Sequence, residues 1–139
     1  MKKNIVSIFL IALIVLVLFW NLFLRGYASL PSAEHFVNGF YDQYNSRDFD
    51  YIYEVLSDQK IRSHIDRPRF QLMMQETYNR LGPIRERKRT NWKAKFGRNG
   101  TYFLIAYKVK RAKVDSIETF TLIQRGKAWF VFDYVIRAL

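Results

Sequence analysis

Residues 89–109 read RTNWKAKFGRNGTYFLIAYKV. Asn99-Gly100 is the pair favoured in a two-residue hairpin turn, and both flanks are rich in aromatic and β-branched residues. A turn at that pair sets the register. Phe96 then faces Phe103, Ala94 faces Ile105, Trp92 faces Tyr107 and Thr90 faces Val109. The other side of the ribbon holds Arg89–Lys110, Asn91–Lys108, Lys93–Ala106 and Lys95–Leu104. Side chains alternate along a strand, so one face comes out apolar and the other basic. Arg87, Arg89, Lys93, Lys95, Lys108 and Lys110 form the candidate docking face for an anionic partner.

Downstream, Val114-Asp115 can turn the chain again, placing Phe120 against Val109 and Leu122 against Tyr107. A last turn around Arg125-Gly126 leads into AWFVFDYVIR, residues 128–137. Here alternation chooses no face. Trp129 and Val131 point one way, and Phe130, Phe132, Tyr134 and Ile136 the other. Either the strand is covered on both sides or a bulge brings the aromatics inward. Phe130, Phe132 and Tyr134 are the candidate contacts to a second subunit, since apolar residues on both faces call for a cover.

Upstream the period is helical. A helix is expected from Ser29-Leu30-Pro31-Ser32, where serine caps and an early proline fit an N-terminus. Ala33, Phe36, Val37, Phe40, Tyr41 and Tyr44 make its apolar stripe. A short second helix, capped by Asp50, buries Ile52, Val55 and Leu56. SDQKIRSHID, residues 57–66, reads as irregular, with His64 a surface loop residue. A third helix starts at Asp66-Arg67-Pro68, carries Phe70, Met73, Met74, Thr77, Tyr78 and Leu81, and stops at Gly82-Pro83. The fold class is α+β: three helices on a curved antiparallel sheet of about four strands.

Ahead of all this, residues 5–24 read IVSIFLIALIVLVLFWNLFL, with no charge and only Ser7 and Asn21 not apolar. At about 1.5 Å per residue this helix is roughly 30 Å long, enough to cross the hydrocarbon core. The expected partner of residues 5–24 is a lipid bilayer, as a single-pass signal-anchor. A cleaved signal peptide, leaving an exported soluble protein, is the alternative, although the apolar stretch is longer than the usual signal core. Lys2 and Lys3 before the span place the tail of residues 1–4 in the cytoplasm, and the domain of residues 32–139 then lies outside, periplasmic or extracellular, after a linker of residues 25–31.

The net charge of the 139 residues is +11, and the 20 basic against 12 acidic residues of 26–139 leave that part at +8. Such a balance favours anionic partners. The absence of cysteine excludes disulfides, thiol catalysis and cysteine-ligated zinc. No metal, cofactor or nucleophile template is present, so no catalytic, metal or cofactor residue is assigned. Residues 85–98 hold seven basic residues and one acid, as a nucleic-acid contact would. Single-strand binders, however, place their stacking aromatics among the charges. Here Trp92 and Phe96 fall on the opposite face, which argues against nucleic acid.

Three helices, the third ending Leu81-Gly82-Pro83, then a four-stranded antiparallel sheet closing on Trp129-Phe130-Val131, resemble a nuclear transport factor 2-like domain. The likeness lies in element order over residues 30–139, and the single span resembles the small membrane-anchored members. It implies a bent, cystatin-like cone with a pocket, which Tyr41, Tyr44, Tyr53 and Tyr107 would line. Enzymes of that superfamily set an Asp or His base inside the cone. Asp42, Asp48, Asp50, Asp58 and Asp66 instead read as caps and turn formers. The resulting expectation is a non-catalytic, membrane-anchored binding or scaffold domain of the cell envelope, acting on a protein partner or a second copy. A small-molecule or enzymatic pocket is the alternative.

Overall fold

The computed structural model describes the backbone of residues 2–139 and the side chains of residues 6–139. The expected tail of residues 1–4 therefore lies outside the described side chains. The chain divides into two compact units, one ending at Ser32 and the other Ala33–Leu139. It is an α+β protein, with helices α1 (Lys2–Ser46), α2 (Phe49–Tyr51), α3 (Gln59–His64) and α4 (Arg67–Leu81) and strands β1 (Ile84–Gly97), β2 (Gly100–Arg111), β3 (Ser116–Arg125) and β4 (Ala128–Ala138). A π-helical turn, Ile52–Leu56, continues α2.

In the first unit, the apolar part of α1 is long and apolar enough to cross a membrane, and none of that window is buried inside the protein. No helix begins at Ser29–Ser32. The residues expected as a linker are helical, with Pro31 inside α1. The hydroxyl of Ser29 donates back to the carbonyl of Arg25 (2.9 Å), the bond of a mid-helix serine, not the forward bond of a cap. Proline's fixed φ suits a helix, and it forfeits one hydrogen bond there.

In the second unit, the rest of α1 buries Ala33, Val37, Phe40, Tyr41 and Tyr44. It ends in a Schellman motif, with Asp48 N–H on the Gln43 carbonyl (2.9 Å) and Arg47 in the left-handed region at φ 61°. The cap of α2 is Asp48, which accepts from the Tyr51 N–H, and not Asp50. Ile52 is buried as expected, whereas Val55 is exposed; Phe49 and Tyr53 supply the buried surface instead. The segment read as irregular contains α3, capped by Asp58, so His64 ends a helix. Helix α4 begins and stops as its residues dictate: Asp66 accepts from the Arg69 N–H, and Gly82 follows at φ 81°.

The sheet is open and antiparallel, in the order β1-β2-β3-β4. Its turns differ from the expected ones. The first occupies Arg98-Asn99, with Gly97 opposite Gly100, so Ala94 faces Phe103 and Trp92 faces Ile105. Gly100 is needed elsewhere: a Cβ there would lie 2.9 Å from the Gln124 carbonyl oxygen, so the glycine serves the close approach of β3. The slip moves each partner by two residues, and the faces of residues 91–97 survive it. Between β2 and β3 the connection is a four-residue loop, 112–115, whose amides of Lys113 and Val114 donate to the Leu81 carbonyl at the end of α4. Phe120 consequently faces Ile105, Leu122 faces Phe103, and Glu118 and Ser116 face Tyr107 and Val109.

Three register shifts change which side chains point inward, the first between Ile84 and Glu86; the other two decide the expected faces. One at Thr90 pairs Arg89 with Tyr107 and Arg87 with Val109, turning both arginines to the inner face. The other, at Phe132, pairs Val131 with Leu122 but Tyr134 with Phe120. It brings Trp129, Val131, Tyr134 and Ile136 to one side, which resolves the ambiguous alternation of β4.

Candidate functional site

The core lies between α1 and the inner face of the sheet. Phe120 meets Phe40 edge-on (5.0 Å between centroids) and stacks against Tyr134 (4.4 Å). At its centre sits a polar cluster that the sequence reading missed. Arg111 and Glu118, both with fully buried side chains, form an ion pair of 2.5 Å. Glu118 Oε1 accepts from Arg111 Nε (2.7 Å) and Ser116 Oγ (2.6 Å), and Oε2 accepts from Tyr41 (2.9 Å) and Tyr134 (2.5 Å). Arg111 Nη1 also donates to the Tyr44 hydroxyl (2.8 Å) and the Gly82 carbonyl (3.1 Å). Each carboxylate oxygen thus has at least two donors, the condition on which a buried charge is tolerated. The signal was present: Arg111 and Glu118 are opposite charges at inward positions of neighbouring strands. Without the register their common face was invisible.

Tyr41, Tyr44, Tyr53 and Tyr107, the residues expected to line a pocket, are all buried in the core. Tyr41 and Tyr44 hold Glu118 and Arg111, whereas Tyr53 donates to the Ile65 carbonyl (2.8 Å) beside Phe70. Burial raises the Tyr41 and Tyr134 hydroxyls well above the ordinary range, and the charge of Glu118 adds to the rise. Burial also raises Tyr44, though the guanidinium of Arg111 opposes it. All three phenols are held neutral, Tyr41 and Tyr134 as donors to Glu118 and Tyr44 as an acceptor from Arg111.

The outer face answers for the basic residues. Lys93, Lys95, Lys108 and Lys110 share it, but Arg87 and Arg89 do not, because of the Thr90 bulge. Their place is taken by Lys88, which lies directly opposite Lys108. Lys110 is tied to Glu86 (3.0 Å), while among the described residues Lys88, Lys93, Lys95 and Lys108 have no ion pair. The same face carries Leu104 on β2, 37% exposed, and Val135 on β4, 54% exposed.

Of the aromatics expected at a subunit contact, Tyr134 is committed to Glu118 and Phe120 and cannot serve. Phe130 lies on the outer face opposite Ile123. Phe132 meets Tyr102 edge-on (5.2 Å) with the ammonium of Lys60 over its ring (4.0 Å). Phe132, Tyr102 and Lys60 border a shallow depression of about 550 Å³, which Asp58 and Arg125 also line. Arg125 donates to Asp58 (3.0 Å). Burial pushes the Asp58 carboxyl up, but bonds from Arg125 and the Lys60 N–H outweigh it and hold the group below its usual value. The edge of β4 is closed locally there by the Asp58 N–H on the Val131 carbonyl (2.8 Å).

Among the described residues no group of three or more His, Cys, Asp or Glu side chains could hold a metal ion. The chain matches no family model and no curated protein.

Proposed function

We propose that this protein is a membrane-anchored, non-catalytic binding or scaffold domain of the cell envelope, which holds an acidic protein partner on the outer face of its sheet. The observation that carries this reading is the direct opposition of Lys88 and Lys108, with Lys93 and Lys95 on the same face and, among the described residues, no ion pair on any of the four. Like charges facing each other across strands destabilise a sheet, and an acidic partner relieves the repulsion. Exposed Leu104 and Val135 supply the apolar surface that such a contact desolvates. The apolar segment of α1 is compatible with an anchor, and the lysines at its start favour a cytoplasmic N-terminus and an external domain. The order of helices and strands supports a nuclear transport factor 2-like assignment.

A photo-crosslinking residue at Leu104, in the full chain in its own membrane, tests the reading. A discrete adduct is expected, lost when Lys88, Lys93 and Lys108 are changed to Glu. An adduct indifferent to those charges counts against it. A reporter fused after Leu139 that works only in the cytoplasm would overturn the orientation.

A further inference from the structure

The inner face carries a second charged cluster, away from the lysines and next to the Glu118 set, since Tyr107 lies directly across from Glu118. Arg89 Nη1 lies 2.6 Å from Glu34 Oε1, a bridge in which each side chain is about one-third exposed, 35% and 33%. Arg87 donates to Asn38 Oδ1, and its guanidinium sits over the ring of Tyr41 (5.2 Å). Among the described residues Arg87 has no carboxylate partner, so the two arginines and one glutamate leave one positive charge unmatched. Tyr107, 3% exposed, lies directly across from Arg89. Its hydroxyl is the one buried side-chain polar atom among the described residues with no hydrogen-bond partner in the protein. Burial raises this hydroxyl, the charge of Glu34 raises it further, and Arg87 and Arg89 oppose the rise. The groups that surround it electrostatically are therefore the members of the cluster. A buried donor without an acceptor is uncommon in folded proteins and calls for an explanation.

We propose that Arg87, Arg89 and Tyr107 form a seat for one carboxylate from an acidic side chain of a partner protein, with the Glu34–Arg89 bridge closing its mouth. The planar guanidinium pairs with carboxylates through two parallel N–H bonds, and Glu34 already shows that a carboxylate fits Arg89. The incoming group takes the unmatched charge of Arg87 and accepts from the Tyr107 hydroxyl. Glu34, one-third exposed and held only at the rim, swings aside. The seat lies on the opposite face of the sheet from Lys88 and Lys108, so it stands or falls separately from the lysine surface.

Calorimetric titration of the full chain in zwitterionic detergent with a hexaglutamate peptide tests the proposal. Arg87→Gln and Tyr107→Phe are each expected to weaken binding by about tenfold, the loss of one hydrogen bond to a charged group. Glu34→Gln is expected to tighten it, because the competing carboxylate is gone. The triple Lys88, Lys93 and Lys108 to Glu variant keeps the sensitivity to Tyr107→Phe. No binding by the wild type, or equal binding by wild type, Tyr107→Phe and Glu34→Gln, overturns the seat. Inorganic phosphate displacing the peptide at equal concentration would overturn the carboxylate as its ligand. Loss of all binding in the triple variant would place the peptide on the outer face instead.

Discussion

The two faces of the sheet carry charge under opposite conditions. On the inner face, Arg111 and Glu118 are out of contact with water, and Ser116 and three tyrosines close the hydrogen bonds around them. On the outer face, Lys88, Lys93, Lys95 and Lys108 stand in solvent with no ion pair among the described residues. Alternation along the strands creates both sets, and bulges decide which residue joins which. Charge buried with a saturated set of partners is committed to the fold. Unneutralised charge in water contributes little to stability and is free to meet something else.

The largest effect should follow from breaking the inner set. Glu118→Ala leaves the Arg111 guanidinium buried and unpaired, and a loss of about 3–5 kcal/mol is expected. Chemical denaturation of the full chain in detergent would read it. A loss no larger than that of a surface substitution would mean the pair is not sequestered from water. Tyr134→Phe removes one bond to the carboxylate while keeping the stack on Phe120, and should cost about 1.5–3 kcal/mol. Tyr107→Phe removes a hydroxyl that holds nothing in the protein, and should leave stability unchanged or raised. The difference between these two tyrosines is the sharper comparison, since both point to the inner face of the sheet.

Alkaline pH gives the next effect. Tyr41 and Tyr134 have raised folded pKa values, so the folded state holds their protons more tightly than the unfolded chain does. Their contribution is complete below the unfolded tyrosine pKa of about 10 and is lost as pH rises from there through the folded values. A titration followed by the phenolate absorbance near unfolding should show these tyrosines ionising together with loss of structure, not before it. Asp58 has the opposite sign. Its depressed folded pKa gives stability present above the unfolded value of about 4 and lost as pH falls through the lower folded one. Asp58→Asn should flatten the acid limb of the stability curve. The smallest effect belongs to the outer face. Changing Lys93 and Lys95 to Glu should leave the melting temperature unchanged and alter only what the protein binds.

Much of the fold was legible in the residues. Asp66 with Pro68 started α4 and Gly82 ended it, because a cap, a fixed φ and a left-handed glycine each act within one turn. The period-two pattern of residues 91–97 assigned Trp92 and Lys93 to opposite faces, and a two-residue slip in the hairpin could not change that. What failed depended on one extra residue or on a distant contact. The bulge at Thr90 took Arg87 and Arg89 from the basic face, and the one at Phe132 took Tyr134 from a subunit contact into the core. Ser29 looked like a cap because the sequence does not show whether its hydroxyl points forward or back.

By itself, then, the sequence determined the local matters: an apolar segment long enough to cross a bilayer, the α+β class, the cap and stop of α4, and the alternation of faces along residues 91–97. Each rests on the geometry of a few neighbouring residues, whose preferences act without knowledge of the rest of the chain. Only the tertiary structure decided the neighbours of Glu118, the separation of Arg87 and Arg89 from Lys93 and Lys95, and the unmet hydroxyl of Tyr107. Those depend on register, where a single bulged residue exchanges the two faces of a strand.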